Sequence, residues 1–430
     1  MDDNSPRDDT ETDPVDDNPP PGACRLRPGA AIPGRRGWQV LAILSTLMGF
    51  ASISTDLYLP AMPAMSRSLH ADNGTLELTV SAYLMGFAFG QLFWGPISDR
   101  HGRRWPVAIG IVLFVIGSAG CALSYGVWTM IGWRVVQAAG ASAGVVLGRA
   151  MVRDLYEGDR AVQMMSTLMT VMAIAPLIGP FLGGQIMALA GWHAIFWTLV
   201  CVGLVTLASL SMLPETLSAA RRNTEPLGIA LVRYAELALD RRLLGYAGVG
   251  GFYYGGTFAY VAGSPFVYIS YYHVPAGLYG LLFGAGITGI MIANTLNARL
   301  VVRQSSDRLL FWGTGLAAVS SVIVAVAAWT NWGGLWGLIL PLFVFIASSG
   351  LIVANSIAGA MRGFPFSVGA VSALVGAIQY GSGILGSALV GAFADGTPRP
   401  LGCVIALAGI GSLACTRLIA ANGDRDHKPG

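Results

Sequence analysis

Two ionisable side chains stand inside otherwise apolar runs of this chain: Asp56, in STDLYLPAMPAM, and Arg134, in GWRVVQAAGASAGVVLGRA. A carboxylate at membrane depth costs about 2.5–3.5 kcal/mol or more, so it needs a partner or water. A carboxyl group in that setting is suited to take up and release a proton. Counted from the same end of their runs, both residues lie about 8–11 Å deep at the helical rise. We therefore expect them to face one cavity and to be electrostatically coupled. Arg134 would hold Asp56 ionised in one state, and a proton or a cationic compound would replace that interaction in the other. Gln137, one turn from Arg134, lies on the same helix face. The plainer reading is a helix-end cap, or a static buried pair kept for specificity.

Two further motifs carry glycine, proline and charge in unusual density. Gly95–Arg104, GPISDRHGRR, lies between two apolar runs and is expected to form a tight connection. Gly95 and Gly102 allow the turn. Asp99 is placed to cap the positive N-terminus of a helix elsewhere, and Arg100, Arg103 and Arg104 to pair with Asp154 at the end of the fourth run. Together they would latch one side of the molecule; a merely solvated basic loop is the alternative. APLIGPFLGG holds Pro176, Gly179, Pro180, Gly183 and Gly184. Proline bends a helix and glycine admits a close neighbour, so this run should be kinked and seal a pathway between two parts of the fold. Gly140, Gly144 and Gly148 form a GxxxGxxxG ridge suited to close helix packing.

These residues need helices that span a bilayer. Of 430 residues, 54% are hydrophobic and 11% charged, against about 25% charged in soluble domains. The apolar runs are near the 20-residue length of a spanning helix. Twelve are read: 38–61, 76–97, 105–124, 127–149, 163–189, 192–212, 244–270, 276–300, 309–328, 334–357, 368–394 and 399–419. The expected fold is an all-α membrane protein, with six-helix bundles over 38–212 and 244–419. The connection 213–243 joins them, and its stretch 227–239 reads as an interfacial amphipathic helix. Residues 1–37, acidic and proline-rich, read as a disordered tail, and 420–430 as a second tail. Of the 26 Lys and Arg, 23 fall in the tails and every second loop, two (Arg67 and Arg399) on the other side, and Arg134 within a span. The tails, 213–243 and Gly95–Arg104 are thus expected to be cytoplasmic. Paired six-helix halves imply a substrate site at mid-membrane between them and alternating access.

The second half carries aromatic and amide groups rather than charges. Tyr260 and Gln379 are its best candidates for a substrate cavity, with Tyr58 and Gln137 from the first half. Such walls suit a broad pocket for amphiphilic compounds. Five scattered cysteines show no metal or disulfide spacing. No GxxxxGK[ST] loop supplies a nucleotide site, and no serine, cysteine or metal constellation suggests an enzyme.

GPISDRHGRR resembles the signature between the second and third helices of the major facilitator superfamily. Arg134, Gln137 and Gly140 resemble its fourth-helix motif. Gly179, Pro180, Gly183 and Gly184 resemble the fifth-helix motif of its antiporters, although Ala175 stands where that motif usually begins with glycine. TDLYLPAMPAM, FAYVAGSPFVYI and SALVGAIQYGSG are similar to the Bcr/CflA group of drug:proton antiporters, and the likeness covers 38–419. It implies the major facilitator fold, proton coupling through Asp56 supported by Arg134, and export of bicyclomycin-, chloramphenicol- or sulfonamide-like drugs from a bacterial inner membrane. It also implies no cofactor beyond the proton gradient, no nucleic-acid partner and, by analogy of fold, a monomer. Metabolite export, as of an amino acid or dipeptide, and proton-coupled import are the alternatives. Glu77 and Asp99 are the next acids in line if Asp56 does not carry the proton.

Overall fold

The first apolar run does not cross as one helix. In a computed structural model of the chain, α1 (Arg35–Asp56) stops at the acid itself, a 3₁₀ turn follows (Leu59–Ala61), and α2 (Met62–Ser68) completes the crossing. Pro60 and Pro63 cause the break, since each lacks an N–H donor and disfavours helix at the residue before it. The structure describes residues 35–156, 158–213, 215–217, 237, 239–362, 364 and 368–423. The acidic tail up to residue 34, residues 424–430 and the stretch 227–239, apart from 237 and 239, lie outside the described residues.

The first half continues with α3 (Asn73–His101), α4 (Arg104–Ala122), α5 (Val127–Leu155), α6 (Gly158–Ala190) and α7 (Trp192–Ser209). The second half holds α8 (Arg241–Pro265), α9 (Ala276–Leu300), α10 (Ser306–Thr330), α11 (Gly334–Ala347), α12 (Ser349–Arg362), α13 (Val368–Ala392) and α14 (Arg399–Gly423). α8 winds into a π-helical turn, Phe266–Tyr271, just past Pro265. α11 and α12 together make one crossing. Among the described residues twelve spanning elements result, as expected from the apolar runs. Ten described helical runs are long and apolar enough to cross a membrane by themselves. The other two crossings are α6, apolar over Ile174–Ala190, and α8, whose glycines and tyrosines dilute its apolar character.

Two six-span bundles form. In the first, α5 is the central helix, packed on α1, α3 and α4. In the second, α8 lies between α13 and α14, and α10 packs on α11, α12 and α14. The bundles meet along two helix pairs, α3 with α13 and α6 with α9. Below, the loop end is the end where α3 meets α4; the opposite one is the far end.

The glycine ridge of α5 serves the first bundle. Gly140 abuts the backbone of α4 at Gly110 and Phe114, Gly144 abuts the Leu47 carbonyl of α1, and Gly148 meets Met48.

Candidate functional site

Gly95–Arg104 corrects the expectation of a loop. α3 runs on through His101 with Pro96 inside it, and α4 begins at Arg104. Only Gly102 and Arg103 connect them. Gly102 has φ 90°, a left-handed conformation open to glycine and strained for other residues. The turn folds Arg103 back into the protein, where it is buried. Its Nη1 donates to Asp99 Oδ1 and Ser98 Oγ, both at 2.6 Å, and its Nε donates to Asp154 Oδ2 at 2.8 Å. Asp99 therefore pairs with the short connection just past its own helix and, among the described residues, does not cap a helix of the other half. Of the three arginines, Arg103 makes the ion pair with Asp154; Arg104 is exposed.

Glu215 was not singled out in the sequence. Its carboxylate accepts from the backbone N–H groups of Arg103 (2.8 Å) and Arg104 (3.1 Å), capping the positive start of α4. It also accepts from the N–H of Leu217, and Thr216 Oγ1 donates to Asp154. These groups belong to the first half and to the start of the connection that follows it. The second half has its own loop-end cluster, with Tyr246 and Arg362 both bonded to Asp307. Each cluster staples helices of one bundle together; the expected latch between bundles is not what either forms in this state.

Deeper in the first bundle, Arg134 is fully buried. One Nη1 donates to the Ser54 carbonyl (3.0 Å) and to Gln137 Oε1 (2.6 Å), and Gln137 Nε2 donates on to Ser118 Oγ (2.8 Å). The guanidinium lies 4.2 Å from the ring centre of Tyr58 and 4.3 Å from that of Tyr83. Those rings are tethered in turn: Tyr58 to Thr79 (3.1 Å), Tyr83 to Ser54 (2.5 Å) and to the Ala51 carbonyl (3.2 Å). Desolvated cation–π contacts are worth about 2 kcal/mol or more. Two donors, Nε and Nη2, find no hydrogen-bond acceptor among the described residues.

The bond to Ser54 brings the Arg134 guanidinium to α1 at a position two residues before Asp56. Among the described residues, however, no ion pair joins them and no hydrogen bond holds the Asp56 carboxylate. Asp56 is buried, at the point where α1 breaks. It packs against α6: a methyl on Gly179 would lie 3.0 Å from its Cβ. Gly183, one turn on, abuts the Leu57 carbonyl.

The opposite face of the same motif meets the second bundle. Pro180 and Phe181 lie against Gly280 of α9, and Gly184 against the Ala276 carbonyl. APLIGPFLGG is thus a two-sided spacer, with Asp56 on one side and the neighbouring bundle on the other. Small residues let three backbones approach there. The expected packing of this helix on the other half is observed.

The second seam joins α3 and α13. Ser81 and Ser387 share a hydrogen bond at 2.8 Å, and Gly74 abuts Gly391 nearer the far end. Phe87 lies 5.5 Å from Tyr380, which also contacts Tyr254 and Phe258 at 6.1 and 6.3 Å between ring centres. The exposed guanidinium of Arg149, on α5, lies within electrostatic reach of Tyr254 and Tyr380. Phe87 was not singled out in the sequence; Phe258 opens FAYVAGSPFVYI and Arg149 lies in GWRVVQAAGASAGVVLGRA, but neither was read there as a site residue.

The expected cavity residues separate into two groups. Tyr58 and Gln137 belong to the Arg134 cluster. Tyr260 stacks on Phe283 at 5.5 Å and meets Tyr268 edge-on. Gln379 is buried against Gly250 of α8, and its Nε2 has no partner among the described residues.

Comparison with known proteins follows the same lines. The model of the Major Facilitator Superfamily matches residues 44–387. An uncharacterized MFS-type transporter of Bacillus subtilis, YdgK, is 33% identical over 89% of this chain and 95% of its own. A bicyclomycin resistance protein homolog of Haemophilus influenzae is 30% identical over 84% and 90%. Among solved structures, a D-xylose-proton symporter superposes with TM-score 0.69 at 16% identity, covering 87% of this chain and 97% of that one, and shares the fold. The chain belongs to the Major Facilitator Superfamily, on the side of its bicyclomycin-resistance, Bcr/CflA-type transporters.

Proposed function

We propose that this membrane transporter exports small amphiphilic compounds, drugs among them, in exchange for protons, with Asp56 as the proton carrier. The observation that carries the reading is the position of Asp56. It is a buried carboxyl without a bonded partner among the described residues, set at the break in α1 and packed on α6, the helix that forms a seam with the other bundle. A change of charge at Asp56 acts directly on the helix that must move for the bundles to rock.

Arg134 supports this role. Its two unspent donors lie at the depth of Asp56 and can receive the carboxylate, or a polar group of a substrate, in another state. Tyr58 and Tyr83 hold the guanidinium in place meanwhile. The seams run along the far-end parts of α3, α6, α9 and α13, which supports a state closed at the far end. With the basic side cytoplasmic, that state faces inward, ready to load from the cytoplasm of a bacterium. The rings of Phe87, Tyr254, Phe258 and Tyr380 offer a flat, poorly selective contact surface for an amphiphile, with Tyr260 and Gln379 deeper in the second bundle as further cavity candidates. Homologues named for bicyclomycin and chloramphenicol resistance favour drugs as the cargo.

The test is drug-dependent proton movement in inverted vesicles. An imposed pH gradient should collapse on adding a bicyclomycin- or chloramphenicol-like compound to vesicles of the wild type, and persist in Asp56→Asn. Equal collapse in both would remove Asp56 from coupling. No collapse with either compound would overturn drug export.

A further inference from the structure

Among the described residues, Glu77 is the other buried acid of the first half. It sits on the second turn of α3 and is 3% exposed. Its Oε2 has no hydrogen-bond partner among the described residues. Unlike Asp56, it lies at the far-end mouth of the seam, where α3 meets α13. Gly391 of α13 packs on Gly74 and on the Glu77 side chain. Beside it is a cavity of about 30 Å³, walled by Gly263, Phe266 and Val267 of α8 and its π-helical end, and by Val390, Ala394 and Leu401 near the α13–α14 connection. That volume admits about one or two water molecules.

Among the described residues no countercharge is in place. Asp72, before α3, is itself acidic and is bonded to the backbone and hydroxyl of Thr75. The α8 wall contributes no titratable side chain. On the α13–α14 connection, Asp395 is bonded to the backbone and hydroxyl of Thr397, and Arg399 lies over the Trp329 ring at 5.1 Å. Arg67 and His70, at the end of α2, are exposed. An ionised carboxylate enclosed here would exchange bulk water for no more than the one or two waters this cavity admits, with no cation beside it, at a cost of several kcal/mol. A neutral carboxyl would be enclosed at much lower cost. When the seam parts, the same group meets far-end water and ionises readily.

We propose that Glu77 is a second proton-binding site, placed in the far-end seam: the bundles close there when its carboxyl is protonated and part when it gives up the proton. The proposal rests on the alternating-access part of the functional reading but not on Asp56 or on any drug. It makes closure of the far end sensitive to the pH of the water on that side.

The experiment uses the full chain in lipid vesicles, with its native cysteines replaced by serine and spin labels at Ser68→Cys and Phe393→Cys. These positions are exposed and lie on opposite sides of the seam. Inter-label distance is measured from about pH 5 to about pH 9, the span in which enclosed carboxyls titrate. In the otherwise unchanged chain the distance should lengthen as pH rises. With Glu77→Gln, a near-isosteric mimic of the neutral acid, the short distance should persist across the range. With Asp56→Asn the shift should survive. A Glu77→Gln protein that titrates like the parent overturns the proposal, as does a parent that shows no shift or a shift that disappears with Asp56→Asn. If vesicles fail to exchange protons for drugs while the Glu77-dependent shift remains, the export reading falls and this site stands.

Discussion

Ser81 and Ser387, 306 residues apart, share a 2.8 Å hydrogen bond between α3 and α13. Both are buried, and the bond ties the two bundles together on the far-end side of the aromatic cluster. In a transporter that rocks, this bond must break once per cycle. Cysteines at these two positions would face each other across the seam. Ser81→Cys with Ser387→Cys should cross-link on oxidation, seen as an intact cross-linked band pattern after cleavage between the halves. Transport should stop on oxidation and return on reduction. Undiminished transport by the oxidised pair would show that this seam does not open.

Arg134 is held by planarity as well as by charge. Lysine keeps the charge but cannot lie flat between Tyr58 and Tyr83 while bonding Ser54 and Gln137. Arg134→Lys should therefore fold and yet export on the order of tenfold more slowly, the consequence of losing about 1.4 kcal/mol or more of positioning energy. Initial rates in everted vesicles at matched expression measure it. A rate equal to wild type would reduce Arg134 to a bare charge.

Arg103 and Arg104 are neighbours of unequal weight. Arg103 is buried and bridges Asp99, Ser98 and Asp154, so Arg103→Ala removes charge-assisted bonds to two partly exposed acids and should cost about 1.5–3 kcal/mol. Arg104 is exposed, and Arg104→Ala should cost less than about 1 kcal/mol. Thermal unfolding in detergent should separate the two by many degrees. Glu215→Ala should fall between them, near the roughly 1 kcal/mol of a lost helix cap.

Asp72 gives a pH dependence outside the membrane. Its carboxylate caps α3, and the hydroxyl and N–H of Thr75 hold its pKa below the usual 3.8. A depressed folded-state value means the cap is fully present above about 3.8 and is lost as pH falls through the lower folded value. Hydrogen exchange at the Thr75 amide, corrected for intrinsic rate, should be steady from neutral pH to about pH 4 and accelerate below it. Asp72→Asn keeps an acceptor without the charge and should remove that acid-induced acceleration.

Most of the architecture was legible without coordinates. Twelve runs near the length of a bilayer, few charges, and basic residues on one side leave a helical membrane fold as the one solution in which every backbone group is bonded. The family motifs also marked Asp56, Arg134 and the α6 spacer, because a charge or paired prolines and glycines in an apolar run are conspicuous locally. Other features were decided by tertiary structure. Arg100, Arg103 and Arg104 are the same residue type within five positions; Gly102 determines which of them turns inward. Arg134 and Asp56 were expected to meet, yet Arg134 bonds the Ser54 carbonyl and lies over the rings of Tyr58 and Tyr83. Ser81, Ser387, Tyr83 and Glu215 look ordinary in a linear reading. They acquire their roles from partners on helices distant in the chain, and hydrogen bonds and ring contacts depend on a few ångströms that no local spacing encodes.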